Sequence, residues 1–173
     1  MQLKSERLLL REFVESDFTE LREIESDPEI FRYRSRTAIS EAETMLFLQE
    51  CKQLGLTSPQ TKYPWAIILQ AEHRLVGQIG LTLIPPIFKE GFLWFSLNRK
   101  YWSQGIMTEA VSCLLEYGYY HLNLEAIHAY CHLENIASRR VLEKAGFGLV
   151  DPGVQDEKVG QNQAECHYIR VKK

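Results

Sequence analysis

Cysteine is scarce and scattered: Cys51, Cys113, Cys131 and Cys166 are the four in 173 residues. No two stand at CxxC spacing and no histidine joins them at ligand spacing, so neither a metal site nor a disulfide framework is expected. Cys113 runs straight into Leu114 and Leu115, the setting of a buried, reduced thiol. No apolar run reaches the roughly 18 residues of a membrane span. Met1-Gln2-Leu3-Lys4-Ser5-Glu6-Arg7 carries charges where a secretory leader needs an apolar stretch. An excess of one charge is missing too. Twenty Lys and Arg against 23 Asp and Glu leave a net charge of −3, without the basic surplus of a nucleic-acid binder. Repeats, low-complexity tracts and linkers are absent. The expectation is one cytoplasmic domain over residues 1–173, with neither nucleic acid nor membrane as partner, as a monomer or homodimer.

What is present is ordinary globular composition, 45% apolar and 25% charged, which excludes disordered, collagen-like and coiled-coil classes. A chain of this length buries roughly 70% of its unfolded surface, enough for a real core. Leu8 to Phe13 reads as a strand, and Ser16 as the cap of a short helix that Asp27-Pro28 ends. Ser40 with Glu43 forms a capping box, opening a helix with Met45, Leu48 and Cys51 on one side. Gly55 to Pro59 reads as a loop. Pro64 to Leu69 and Leu75 to Leu83 read as strands joined by a turn at Ala71 to Arg74. Pro85-Pro86 breaks the second, and Gly91 to Leu97 forms a third.

Beyond residue 103 the pattern changes. Val111, Leu114, Leu115, Gly118 and Leu122 recur at helical spacing, in a helix starting near Thr108. Ala126 to His132 reads as a strand. Asn135 is a good N-cap, Ala137, Val141 and Ala145 make a stripe, and Gly146 suits the position after the helix end. Phe147 to Val150 and Glu165 to Val171 close the chain as strands around a polar loop. The order β-α-α-β-β-β-α-β-α-β-β predicts an α/β fold, a mixed sheet with helices on both faces. The strand–helix–strand unit from Phe92 to His132 is expected to be parallel and right-handed.

Two stretches carry chemistry. In Leu97-Asn98-Arg99-Lys100-Tyr101-Trp102-Ser103-Gln104-Gly105-Ile106-Met107-Thr108 a strand ends, a glycine-bearing turn follows and a long helix begins. The first N–H groups of such a helix lack partners and carry partial positive charge, which suits phosphate; the plain alternative is a β–α turn that happens to contain glycine. Neither a dinucleotide fingerprint nor a P-loop is present. The second stretch, Asn135-Ile136-Ala137-Ser138-Arg139-Arg140, follows a strand directly. It sits where ligands favour the carboxyl ends of parallel strands, or else it is a helix cap with a solvent-facing serine.

Together these stretches resemble the GNAT superfamily of acyl-CoA-dependent N-acetyltransferases, and within it the RimJ/RimL-like ribosomal-protein N-terminal acetyltransferases. The likeness starts at Glu6-Arg7-Leu8-Leu9-Leu10-Arg11. It continues through Ser26-Asp27-Pro28-Glu29-Ile30, Leu75-Val76-Gly77-Gln78-Ile79-Gly80-Leu81 and Tyr101-Trp102-Ser103-Gln104-Gly105, and ends with Glu134-Asn135-Ile136-Ala137-Ser138 and Val141 to Phe147. The resemblance implies two splayed central parallel strands with the pantetheine arm of acetyl-CoA, the co-substrate, lying between them on Phe95, Ser96 and Leu97. It implies a pyrophosphate on Ser103, Gln104, Gly105, Ile106, Met107 and Thr108, with no metal. Asn135 and Ser138 would lie beside the thioester, and Arg139 toward the nucleotide. Met107 stands where the family pattern has a small residue, so its side chain must turn away, and weaker CoA affinity is expected. Leu142 stands where many relatives carry a tyrosine acid.

Acetyl transfer needs a neutral amine, a polarised carbonyl and a proton for the departing thiolate. The catalytic set implied is Leu97 (by its N–H), Asn135 and Ser138. The base stays open among His128, Tyr130 and His132 on one strand face, Glu90, and water. Arg32, Arg34 and Arg36 form either an acceptor clamp or a solvated loop. Phe31, Tyr33, Trp65, Phe92 and Trp94 line either a pocket or the core. The resemblance favours a protein or peptide N-terminal α-amine as acceptor. A small amine (amino acid, polyamine or antibiotic) and a non-catalytic CoA-binding role are the alternatives.

Overall fold

The computed structural model describes residues 2–33, 38–54, 58–85, 88–154 and 165–172. Its strands are β1 (Gln2–Lys4), β2 (Leu8–Arg11), β3 (Lys62–Leu69), β4 (Arg74–Leu83), β5 (Glu90–Leu97), β6 (Ala126–His132), β7 (Gly148–Val154) and β8 (Glu165–Val171). Its helices are α1 (Phe18–Glu25), α2 (Pro28–Phe31), α3 (Glu41–Leu54), α4 (Ile106–Tyr120) and α5 (Ile136–Lys144). The strands form one sheet in the order β1-β2-β3-β4-β5-β6-β8-β7. Neighbours are antiparallel except β5 and β6, which run parallel because α4 carries the chain back between them. The α/β mixed sheet expected from the sequence is the observed fold.

Alternation along the strands divides the core in two. Trp65 and Ile67 of β3, Ile79 and Leu81 of β4, and Ile127 and Ala129 of β6 pack with Ile106, Val111 and Leu114 of α4. On the opposite face Ala66 and Ile68 meet Leu21 and Ile24 of α1 and Leu48 of α3. Glu25 of α1 is buried there and accepts from Thr44 Oγ1 at 2.5 Å and Gln78 Nε2 at 3.4 Å, so its carboxylate has partners on two neighbouring elements.

Several sequence expectations shift. β1 is an extra strand at the start, pairing Leu3 with Leu10. Ser16 does not cap α1; Asp17 stands at its N-cap, accepting the Val14 N–H at 2.9 Å and two Arg11 bonds at 2.7 Å. Asp27-Pro28 does not simply end a helix: Asp27 caps α2, with Pro28 at its first position. Ser40 and Glu43 do close the capping box, at 2.8 and 3.3 Å. Of the expected α3 stripe, Leu48 is buried and Cys51 packs beside it, but Met45 is exposed and Thr44 is buried in its place. α4 begins at Ile106 rather than Thr108, because the left-handed Gly105 is itself the N-cap. Ala137 is exposed and Leu142 is the buried residue of α5. β7 runs on to Val154, past the expected end at Val150. Gly55, Pro86, Arg34, Arg36 and the loop at 155–164 lie outside the described residues.

The feature that positions the site is the seam between β5 and β6. Four residue pairs join them, from Glu90↔Ala126 to Leu93↔Ala129. Beyond that rung β5 continues to Leu97 along β4 alone, and β6 continues to His132 along β8 alone. The two central strands therefore part.

Candidate functional site

The parting strands leave a gap whose walls are backbone. Asn98 N–H donates to Val76 at 2.8 Å, so the peptide groups of Ser96, two residues back, also face β4. Those of Phe95 and Leu97 point across the gap. Ser96 instead packs its side chain on the α1 face, opposite Gln78. The Leu97 carbonyl accepts the Trp102 indole N–H at 2.8 Å, which ties the following turn down onto the strand end.

That turn is shaped by left-handed residues at Ser103 (φ 60°) and Gly105 (φ 75°). Glycine tolerates this conformation freely. No side chain caps α4, so the N–H groups of Ile106, Met107 and Thr108 open its first turn with the helix dipole behind them. Met107 is buried in the core, which keeps its bulk off the turn. Two residues to which the sequence reading assigned no role, Arg7 and Glu109, hold the turn in place. Glu109, in the first turn of α4, accepts from Ser5 Oγ at 2.6 Å, the Arg7 N–H at 2.9 Å and Arg7 Nε at 2.7 Å. Arg7 Nη1 also donates to the Gln104 carbonyl at 3.0 Å. Burial pushes the Glu109 carboxyl up, yet the bonds from Ser5 and Arg7 together hold it below its ordinary value. The carboxylate near this helix start is thus neutralised by Arg7.

β6 leads directly into α5, so the start of α5 follows the carboxyl end of one of the two parallel strands, as the turn into α4 follows that of the other. Asn135 Oδ1 accepts the Ser138 N–H at 3.1 Å, the bond of an N-cap, and Ser138 is half-buried. Arg139 folds back, donating to Tyr168 Oη at 3.1 Å and the Leu133 carbonyl at 3.3 Å. Leu142 is fully packed into the core.

The other face of the seam is aromatic. His128 and Tyr130 of β6 flank Phe92 of β5, at ring distances of 5.7 and 5.6 Å. Tyr130 stacks on His167 of β8 at 4.6 Å, and His132 stacks on Tyr33 at 5.4 Å. His128, Tyr130 and His132 thus share a face, as strand alternation predicts. Arg32 is exposed, 3.7 Å from Glu29 and with its guanidinium over Tyr33. Trp65 belongs to the core, edge-on to Tyr117 at 4.7 Å, so it lines no pocket here. His167, absent from the sequence-based candidates, donates or accepts at 2.9 Å with His128, whose other nitrogen meets Glu90 at 3.0 Å. Among the described residues no cluster of three His, Cys, Asp or Glu side chains is placed to hold a metal, and no helix is long and apolar enough to cross a membrane.

Comparison with known proteins gives this geometry a context. The profile of the acetyltransferase (GNAT) domain matches residues 7–148. The uncharacterized N-acetyltransferase YnaD of Bacillus subtilis is 31% identical over 153 residues, 85% of this chain and 82% of that protein. An acetyltransferase of Salmonella typhimurium that modifies the N-terminal serine of ribosomal protein L7/L12 superposes with a TM-score of 0.84, covering 100% of both chains at 20% identity. The spermidine N-acetyltransferase of Vibrio cholerae, solved with CoA and spermine, gives 0.80 over 96% of each chain at 17% identity. At those identities the two superpositions speak to the fold alone.

Proposed function

Because this chain belongs to the GNAT family of acetyl-CoA-dependent N-acetyltransferases, we propose that its acceptor is the α-amino group of a protein or peptide N-terminus. Acetyl-CoA supplies an acetyl thioester. The residues present suit it: an uncapped fifteen-residue helix follows a turn bent by Ser103 and Gly105, and Met107 is turned into the core. Ser103 to Thr108 would hold the pyrophosphate, and Phe95 and Leu97 the pantetheine amides by strand-like bonds across the gap. Leu97 N–H is the donor for the thioester carbonyl. Asn135 fixes the first turn of α5, and Ser138 there returns a proton to the departing thiolate. Arg139 reaches the nucleotide only by leaving Tyr168.

The observation that carries the acceptor reading is the imidazole and aromatic wall of His128, Tyr130, His132 and His167 where the strands part. An imidazole titrates near 6.5, about 1.5 units below an α-ammonium near 8 but about 4 below a lysine ammonium near 10.4. An α-amine is also about one-tenth neutral at pH 7, whereas a lysine is neutral to less than about one part in a thousand. Weak bases of this kind fit the first acceptor and not the second.

The test is mass spectrometry after incubation with acetyl-CoA of three acceptors: a peptide with a free N-terminal serine, the same peptide N-blocked but carrying lysine, and spermine. Acetylation of the free N-terminus is expected. Modification confined to lysine or to spermine overturns this acceptor.

A further inference from the structure

Resting on the acetyl-transfer reading above, we propose that Glu90, His128 and His167 form a proton relay that receives the proton released by the acceptor amine. The three come from three strands, β5, β6 and β8, and run from the first rung of the seam at Glu90, through His128 on its third, to His167, which pairs with Tyr130 just past the last rung. Glu90 Oε2 lies 3.0 Å from His128 Nε2, and His128 Nδ1 lies 2.9 Å from His167 Nε2. The two imidazole planes are nearly parallel, 17° apart, and Tyr130 stacks on His167 at 9°.

The hydrogen positions follow from chemistry. A carboxylate only accepts, so His128 Nε2 carries the proton aimed at Glu90. Its Nδ1 is then the acceptor, and His167 Nε2 must donate to it. His167 is left with Nδ1 as a lone pair at the outer end of the chain. A proton taken there lets His167 Nε2–H move to His128 Nδ1, and the positive charge comes to rest on His128, 3.0 Å from Glu90.

The reaction balances without any further reagent. The acceptor ammonium gives one proton to His167 Nδ1, and its nitrogen then bonds the thioester carbonyl carbon as the carbon–sulfur bond breaks. A second proton from that nitrogen ends on the thiolate, and the third stays on the amide. The relay is reset when its proton passes to water. His167 is the proton-accepting group; His128 and Glu90 are positioning residues that receive and neutralise the charge.

The titratable and charged groups about the pair are Glu90 from β5, Tyr130 from β6 and Asp151 from β7, which opposes His167 in register. Burial lowers His167 from its ordinary value, and His128 lowers it further while Asp151 pulls it back. A lowered value leaves His167 neutral at pH 7, ready to accept.

Two measurements test the relay. In the protein without substrate, nitrogen-15 imidazole spectra should show His128 and His167 sharing one proton uptake between about pH 5 and 8, both starting as Nε2–H tautomers. Two independent one-proton titrations overturn it. The second is the pH profile of kcat, measured with the N-terminal-serine peptide or, if the panel returns it instead, with spermine. His167→Gln should lower kcat about 100-fold, leave the KM for acetyl-CoA unchanged and move the rising limb upward to follow the amine alone. Glu90→Gln alters a half-exposed side chain, so the fold should survive, and its limb should move down in pH because the charge facing His128 is gone. Limbs that stay in place in both variants overturn the relay. A switch from peptide to spermine would overturn the acceptor, and the relay is then decided by whether the limbs move in the two variants.

Discussion

Arg7 shows how one side chain can set a binding turn from a distance. It lies 102 positions from Glu109 in sequence, yet it fixes the first turn of α4 through the carboxylate and the Gln104 carbonyl. Charge-assisted bonds contribute about 1.5–3 kcal/mol each when intact. Arg7→Ala should therefore leave the sheet folded and weaken CoA binding about tenfold, roughly 1.4 kcal/mol, as calorimetry would read. The same pair predicts a pH dependence. Glu109 is depressed in the folded protein, so its stabilisation is fully present above the carboxyl's ordinary value and disappears as pH falls through the lower folded value. In an acid denaturation series, wild type and Glu109→Gln should converge at the low end and diverge as the carboxylate ionises. Gly80 is a second residue with a measurable role. A Cβ there would run into the Trp94 ring and lie 2.9 Å from the Tyr63 carbonyl. Gly80→Ala should cost about 1–3 kcal/mol by denaturant titration, the range for overpacked sites. An unchanged midpoint would mean that Trp94 moves aside freely.

Among the elements, α4 depends on the backbone at its start. Gly105 holds φ 75°, and its nearest neighbour to an added Cβ is Arg7 Nη2 at 3.6 Å, so space is available and conformation is the cost. Gly105→Ala should therefore lose about 1–2 kcal/mol of stability. Gly105→Pro, locked near −65°, should additionally abolish the turn and with it most CoA affinity. Retained affinity in a folded proline variant would put the anion site elsewhere. These elements also show what a sequence can and cannot express. Asn135, Gly146 and the Ser40–Glu43 box were legible because capping is local, decided within four residues. On the buried side of α3, Leu48 and Cys51 were read correctly and Met45 was not: it fits the periodicity, but the neighbouring Thr44 takes the buried place, bonded to Glu25. Trp65 was ambiguous for the same reason: a strand residue's face depends on register, and only the sheet shows it turned toward Tyr117. The Glu90–His128–His167 chain was half legible. Strand alternation grouped His128 with Tyr130 and His132, but His167 lies 39 residues further on and joins them only through β8.

For the molecule as a whole, the seam decides stability. Two parts of the sheet, β1 to β5 and β6 to β7, meet in four residue pairs and in the packing of α4 and α5. A ligand bonded along both lips of the gap would restore the cross-links that the strands lack. At a hundredfold excess over its dissociation constant, any ligand that binds only the folded state adds about 2.7 kcal/mol. Acetyl-CoA should thus raise the melting temperature, with new amide-exchange protection concentrated at Phe95, Leu97 and the far end of β6. Protection spread evenly over β2 to β4 would count against binding in the gap.

The half-closed seam also bears on how long a copy of this protein lasts. Proteases cut the transiently opened chain, and when opening and reclosing are fast the cutting rate follows the fraction open. The same hundredfold excess of acetyl-CoA would reduce that fraction, and lengthen the half-life against protease, by about one hundredfold. Survival would then track the supply of the acetyl donor: well-fed conditions would preserve the enzyme, and scarcity would expose it to turnover.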